Sequence, residues 1–312
     1  MMTNDSIGID ISKDFFDAHR LSDGGTACFP NAPAGFRALS KWLGEGIPAR
    51  VVFEATGPYH RHFERSLSRQ LPLVKVNPLQ ARRFAQACGS RVKTDAVDAR
   101  MLARFGSALT LDPDTPIDEK QYELRELFSA RGALVKDRIR LINRLQTQTL
   151  ALVKRQTKAR IEQLTRQLKA IQQDINTRLQ ECPQRARANT ILRSIPGIGE
   201  VAALTILIEM PEVGTLRQKK AASLTGLAPM TQQSGKWRGK ARIQGGRKPL
   251  RDALYMPALV AAKHNPDMRA KYQDMITKGK PPKVALTTIM RKLIELANTL
   301  IKEDREWTQN TA

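Results

Sequence analysis

Residues 6–12 read Ser-Ile-Gly-Ile-Asp-Ile-Ser, a short apolar run carrying one carboxylate, Asp10, between Ile9 and Ile11. The run has the length and β-branched content of a strand. A carboxylate inside it must point to a solvated face or to a cation, because burying it unpaired is costly. Around it, residues 15–22 and 27–30 read as further strands in hairpin-like succession. Residues 34–44 then read as a helix with Phe36, Leu39 and Leu43 on one face. Next come a strand over 50–56 (RVVFEAT), a helix over 59–69, a strand over Leu73–Val76, and helices over 79–87 and 94–109. Three β-rich runs followed by alternating α and β predict a mixed sheet flanked by helices.

The rest of the chain is of a different kind. Residues 111–117 (LDPDTPI) are rich in Pro and Asp and read as a linker. Beyond them Leu127, Leu134 and Leu141 are seven apart, and Ile161, Leu164, Leu168, Ile171 and Ile175 alternate by three and four. That spacing predicts a long antiparallel helical pair or short coiled coil suited to dimerisation; one amphipathic helix on its own domain is the plainer reading. Within residues 191–212 the run ILRSIPGIGEVAALTILIEM sets a Pro-Gly-Ile-Gly turn between apolar helices. In the helix-hairpin-helix pattern Gly197 and Gly199 let backbone N–H groups approach a phosphate, although such turns also serve as tight corners. Helices are expected over 251–263, 268–277 and 283–302.

Charge points to the partner. The 312 residues carry 52 Lys and Arg against 30 Asp and Glu, a net charge of +22. A polyanion is the economical explanation, since such a surface neutralises phosphates and releases counterions. Residues 1–110 hold fifteen of the basic and ten of the acidic side chains, so the excess lies beyond them. Residues 213–251 carry ten Lys or Arg and no acid. Aromatics at 5% disfavour a grip made mainly of stacked bases. No apolar run reaches the ~20 residues of a spanning helix, and no signal peptide is visible. Cys28, Cys88 and Cys182 are odd in number with no CxxC pair. Free thiols in a reducing cytoplasm are expected, rather than a zinc site or disulfide frame.

Chemistry is expected in the first part. Glu54 ends the apolar run Val51-Val52-Phe53, and Asp95 and Asp98 stand three apart at the start of a helix, on one face. Each taken alone has an ordinary explanation, for Asp at a helix start is commonly a cap. Together with Asp10 they can converge on hard cations through oxygen ligands, leaving positions open to phosphate and water. The order is similar to that of ribonuclease-H-like metal nucleases such as Holliday-junction resolvases.

The words GIDIS, FEATGPY, NPLQARRFA, RVKTDAVDARMLA, SIPGIGEVAA, LTGLAP and RDALYMPALVAA, in this order, resemble DEDD transposases of the IS-one-ten type. These are the recombinases of bridge-RNA-guided insertion sequences, and the resemblance runs from about residue 7 to residue 302. It implies an α/β RuvC-like domain of ribonuclease H fold over 1–110 and a helical coiled-coil linker over 111–188. A mainly α transposase domain with a catalytic serine follows over 189–312. The metal-binding quartet would be Asp10, Glu54, Asp95 and Asp98, with Mg2+ or Mn2+, since all-oxygen ligands serve both. The serine would be Ser234, in the loop after Gly226-Leu227-Ala228-Pro229, with Thr231 the less favoured occupant. The family also implies DNA at the element ends and target, a guide RNA, and dimers to tetramers whose active sites are shared between protomers. A prokaryotic, nucleoid-associated location in the cytoplasm goes with it.

On the residues themselves, no His stands near Ser234 in sequence, so a metal-bound carboxylate cluster is the expected activator. Lys236, Arg238, Lys240, Arg242, Arg247 and Lys248 are candidate phosphate clamps. The expected reaction is excision and insertion of a mobile element by serine attack on DNA phosphates. A resolvase-like hydrolytic nuclease using water is the alternative. A non-catalytic architectural protein would leave the four acids without a purpose.

Overall fold

Strand β1 (Ser6–Ile11) is the middle of a five-stranded sheet because it is apolar on one side and nearly bare on the other. The structure, a computed structural model, describes residues 5–44, 46–55, 57–89, 95–109, 111–116, 118–235, 237–239 and 241–309; the side chains of Asp95, Ala96 and Gln218 lie outside the described residues. It divides into two compact units, 1–118 and 119–312.

In the first unit β2 (Phe15–Arg20) pairs antiparallel with β1, and β3 (Thr26–Pro30) pairs antiparallel with β2. On the other side of β1 lie β4 (Arg50–Glu54) and β5 (Leu73–Val76), both parallel, giving the order β3-β2-β1-β4-β5. Ile7, Ile9 and Ile11 face a core made with Phe16, Phe36, Leu39, Val51, Phe53 and Phe63. Helix α1 (Pro33–Leu43) supplies Phe36 and Leu39, and α2 (His60–Leu67) supplies Phe63. On the opposite face Val52, Val74 and Val76 pack with Leu102 and Phe105 of α4 (Asp95–Leu109) and Phe84 of α3 (Pro78–Ala87). Strand β4 is thus buried on both faces, which is why its sequence is a continuous apolar run rather than an alternation. Each fully buried Phe contributes roughly 1.5–3 kcal/mol.

The Pro- and Asp-rich segment read as a linker is tied to the sheet. Asp114 N–H donates to the Leu73 carbonyl at 2.8 Å, and its carboxylate accepts from Lys75 N–H at 2.7 Å. The exposed edge of β5 is thereby occupied, which blunts its capacity to pair with another chain.

The second unit is mainly helical. Helices α5 (Glu119–Thr147) and α6 (Ala151–Gln180) run antiparallel, as the side-chain pairs Arg131–Gln172, Arg138–Thr165 and Gln148–Thr157 show. Leu124, Ile175 and Leu179 at their open end are buried in the core of the unit. Farther out Leu134, Leu141, Ile161, Leu164 and Leu168 are only half-buried. That core is built on α7 (Pro183–Ser194), α8 (Glu200–Glu209), α9 (Gln218–Leu224) and the helices beyond. The single helix expected over 251–263 is two, α10 (Lys248–Ala253) and α11 (Tyr255–His264), meeting at buried Leu254. Helices α12 (Pro266–Thr277) and α13 (Pro282–Lys302) complete it, with Ile289, Leu293, Ile294, Ala297 and Leu300 of α13 in its centre. Among the described residues no helix is long and apolar enough to cross a membrane. Cys28 and Cys88 are exposed and Cys182 is half-buried, none of them in a disulfide among the described residues.

Candidate active site

The period of two in β1 puts Ser6, Gly8 and Asp10 on the face turned towards α4. Ser6 Oγ donates to the Ala103 carbonyl at 2.9 Å. At Gly8 the helix backbone comes so near that a Cβ would lie 1.9 Å from the Ala99 oxygen and 2.4 Å from the Ala103 nitrogen. Helix α4 therefore runs back along β1, and each step towards Asp10 is a step towards the α4 N-terminus. Asp10 lies one strand repeat past Gly8, ~6.6 Å. Asp98 directly precedes Ala99, and Asp95 lies one turn before Ala99, ~5.4 Å along the axis.

Glu54 arrives by the same logic on β4. Val52 packs towards Gly106 of α4, where an added Cβ would meet its Cγ2 at 2.4 Å, and Glu54 is two residues on, on the same face. Since Ile9 pairs with Phe53 in the parallel register, Asp10 and Glu54 follow side by side at the carboxyl ends of adjacent strands, ~4.8 Å apart between strands. Asp10, Glu54 and Asp98 are all half-buried, and none is without a partner. Among the described residues no three of His, Cys, Asp and Glu stand close enough to hold an ion by themselves. The side chain of Asp95 lies outside the described residues. By chemistry the donor set is all oxygen, as a hard divalent cation requires.

Two residues at this end of the sheet were not picked out by motif. Asp17 of β2 stands directly opposite Asp10 in the antiparallel register, so the α4 face carries Asp17, Asp10 and Glu54 on three consecutive strands. The β1–β2 register, rather than any motif, is the signal that would have found it. Asn31 donates through Nδ2 to the carbonyls of Ser12 at 2.9 Å and Tyr59 at 3.3 Å. It ties the chain just after Asp10 to the loop after Glu54. Two carbonyl acceptors fix which end of the amide is nitrogen.

His60 lies on α2 just after that loop. Its Nδ1 bonds the Gly57 carbonyl at 2.7 Å, and its Nε2 is 3.7 Å from Glu64, which Lys75 also contacts at 2.6 Å. Burial pushes the imidazole below its usual 6.5 and outweighs the opposing pull of Glu64. His19 of β2 is lowered as well, by burial and then by Arg100. A histidine lowered in the folded state takes its proton first in the unfolded chain. Its contribution to stability is complete above the unfolded pKa and is lost as pH falls through 6.5 towards the folded value. Urea midpoints should therefore drop between about pH 7.5 and about pH 5.5. In His60→Gln part of that drop should vanish, leaving the share of His19; an unchanged profile would refute the assignment to His60.

The serine loop of the second unit is a ribbon held at its base by glycines. Gly226 (φ 68°) and Gly246 (φ 66°) cross so closely that a Cβ on Gly226 would lie 2.1 Å from the Gly245 oxygen. Only glycine combines that backbone shape with that approach. Arg251 Nη1 caps the Gly245 carbonyl at 2.5 Å. Above this crossing β6 (Pro229–Met230) pairs with β9 (Arg242–Ile243), and β7 (Gln233–Ser234) pairs with β8 (Trp237–Arg238). Ser234 is exposed beside the turn, and Thr231 is exposed too. Arg238 and Arg242 are exposed and form no ion pair among the described residues, whereas Lys236 and Lys240 lie outside those residues. Arg247 is engaged by Glu212 at 2.6 Å and the Glu209 carbonyl at 2.7 Å, and Lys248 by Asp252. In the Pro-Gly-Ile-Gly turn, Gly197 (φ 107°) lies against α11, where a Cβ would meet the Pro257 oxygen at 2.7 Å. Gly199, the residue before α8, faces open space. Gly197 thus has a packing role, and the turn keeps one free side at Gly199.

Comparison with known proteins identifies the family. Residues 7–153 match a family described as "Transposase" with the DEDD and IS110 labels, and residues 189–273 match "Transposase IS116/IS110/IS902 family". A pilin gene-inverting protein of Moraxella bovis is 30% identical, covering 97% of this chain and 98% of its own length; its Moraxella lacunata counterpart gives the same values. The transposase for insertion sequence element IS1328 of Yersinia enterocolitica is 24% identical over 81% of this chain and 83% of its own length. Family matches in both units and relatives aligned from end to end leave one conclusion: the chain belongs to the IS110 family of transposases, DNA-processing enzymes of transposition and recombination.

Proposed function

We propose that this transposase cuts and rejoins DNA by attack of Ser234 on a backbone phosphate. Asp10, Glu54, Asp95 and Asp98 would hold Mg2+, or Mn2+ in its place. The observation that carries the reading is the meeting of β1, β4 and the first turn of α4 at one end of one sheet face, with Asp10 and Glu54 side by side. The strand order β3-β2-β1-β4-β5 supports the ribonuclease-H-like, RuvC-like assignment of residues 1–110. Bound divalent cations supply Lewis acidity at the phosphate and lower the pKa of oxygen nucleophiles.

The chain's own groups do the rest. The Ser234 hydroxyl oxygen forms a new bond to phosphorus, and the phosphorus–oxygen bond to the adjoining nucleotide breaks. The serine proton ends on the departing sugar oxygen, directly or through water. The products are a phosphoserine ester and a free hydroxyl end, so the ester conserves the energy needed to rejoin strands. Arg238 and Arg242 neutralise charge as it spreads over the phosphate oxygens. The activity for which the Moraxella relatives are named, gene inversion, is a rearrangement in which cut ends must be rejoined to new partners. That demand favours a conserved ester over release by water.

Residues 111–188 would form the coiled-coil linker and residues 189–312 the serine-bearing domain. The half-buried seam of α5 and α6 supports a homo-oligomer, because two helices cover each apolar position from one side only. Base pairing with a bridge RNA would supply sequence choice, with the protein reading backbone and shape. The test of the chemistry is to mix protein, Mg2+ and element-end DNA and to look for protein–DNA adducts under denaturing conditions. The parent and Thr231→Ala should form the adduct, and Ser234→Ala should form none. An adduct surviving in Ser234→Ala but absent in Thr231→Ala moves the nucleophile. Full cleavage by Ser234→Ala with no adduct anywhere makes the enzyme a hydrolytic nuclease.

A further inference from the structure

The ribbon that carries Ser234 also carries an exposed tryptophan in direct register with it. Ser234 pairs with Trp237 across the β7–β8 turn, so the two side chains leave the same face of the ribbon, with Cβ atoms ~4.5–5.5 Å apart. Gly235 at the turn has φ 55°, as a tight two-residue hairpin requires. Trp237 is 59% exposed, unusual for the largest apolar side chain. It is nonetheless not loose. Gly239, two residues on, lies beneath the indole, where an added Cβ would come 2.4 Å from Cη2 and 2.9 Å from Cζ3. The backbone of Gly239 is itself held by its N–H bond to the Gln232 carbonyl at 3.0 Å. One part of the ring thus rests on glycine backbone while much of the rest meets solvent.

The surroundings say what covers it. Residues 213–251 hold ten cations and no acid; of these Arg238 follows Trp237 in β8 and Arg242 lies on β9, both exposed. An apolar partner protein would require none of those charges, whereas a phosphate chain requires them. The geometry points to Trp237 as a stacking platform for an unpaired DNA base next to the phosphate that Ser234 attacks. This rests on the serine reading for the identity of that phosphate. Successive bases along a strand are ~3.4 Å apart, so a base on Trp237 belongs to a nucleotide adjoining it. Inside a duplex both faces of a base are covered; the platform therefore takes a base that is single-stranded or turned out of the helix. Trp237 is a positioning residue: it fixes the strand so that one phosphate, and not its neighbour, meets the hydroxyl.

The test uses the full-length chain with a short oligodeoxythymidine and with a paired duplex of equal length. Trp237→Ala should weaken single-strand binding about tenfold and duplex binding little, and Trp237→Phe and Trp237→Tyr should restore it to within about threefold. Irradiation of an oligonucleotide carrying 5-iododeoxyuridine should crosslink the peptide containing Trp237. Ser234→Ala should leave binding and crosslink unchanged, so a failed serine reading and a failed stacking platform give different patterns. Single-strand binding by Trp237→Ala equal to the parent overturns the proposal. So does a Trp237→Leu that binds as well as Trp237→Phe, or a Trp237→Ala that changes only the oligomeric state; these mark an apolar protein contact instead.

Discussion

Asp10→Asn should lower Mg2+-dependent strand cleavage by about a thousandfold or more while leaving the chain folded. The magnitude follows from losing one ligand of the proposed metal site, which would stabilise several kcal/mol of transition-state charge, at about 1.4 kcal/mol per factor of ten. Stability should change little. Asn has the shape of Asp, and position 10 is half-buried, so no cavity opens. Asp10 also stands opposite Asp17 and beside Glu54. Like charges directly across a sheet cost roughly 0.2–1 kcal/mol, so neutralising one of them offsets lost polar contacts of Asp10. A third signature separates ligand loss from misfolding. Mg2+ should raise the melting temperature of the parent by mass action on the folded state, and that rise should shrink in Asp10→Asn. Single-turnover cleavage and thermal melting with and without Mg2+ measure all three. Cleavage at parental rate by a folded Asp10→Asn chain would remove the first unit from the chemistry.

The carriers of the candidate site are local in sequence. Asp10 interrupts an apolar strand, Glu54 ends one and Asp98 opens a helix, each visible within about seven residues of context. The elements around them were legible for the same reason, and helix α4 begins at Asp95, one residue from its expected start. What the sequence hid depends on pairing between distant segments. Asp17 looks like an ordinary polar position until the β1–β2 register sets it against Asp10. Asn31 reads as a turn residue until its amide is seen to span the segments after Asp10 and Glu54. The segment 111–117 has linker composition, yet Asp114 uses its backbone and carboxylate to close the β5 edge. The division of the run 251–263 at Leu254, by contrast, has a local cause: Pro257 has no N–H for the Ala253 carbonyl and is tolerated only in the first turn of a new helix, where α11 holds it. In the serine ribbon the low overall count of aromatics gave no hint that one Trp would stand beside Ser234; only the two-residue turn does that.

Gly8→Ala should be among the most damaging single-atom additions in the first unit. Gly8 is buried mid-strand, and its φ is not in the left-handed region, so alanine meets no backbone conformational barrier there. Restricting the unfolded chain would even favour the variant by roughly 0.4–1 kcal/mol. The opposing term is steric and larger. The new methyl would lie 1.9 Å from the Ala99 oxygen and 2.4 Å from the Ala103 nitrogen, both backbone atoms of α4 that no rotamer change can move. Helix α4 must lift from β1 as a body, against the packing of Leu102 and Phe105 on Val52 and Val74. Overpacking of this kind costs ~3 kcal/mol or more, which for a unit of this size means melting lowered by about 10 °C or more. Function should fall further than stability, because lifting α4 moves Asp98 away from the strand ends that carry Asp10 and Glu54. Cleavage measured well below the melting temperature should therefore drop even where the chain is folded. Gly132→Ala is the internal contrast: it is mid-helix in α5 with nothing within 4 Å of its added Cβ, and it should stabilise by about 0.5–1 kcal/mol. Gly8→Ala melting within a degree or two of the parent would mean that α4 does not lie on β1 as closely as the path to the carboxylates requires.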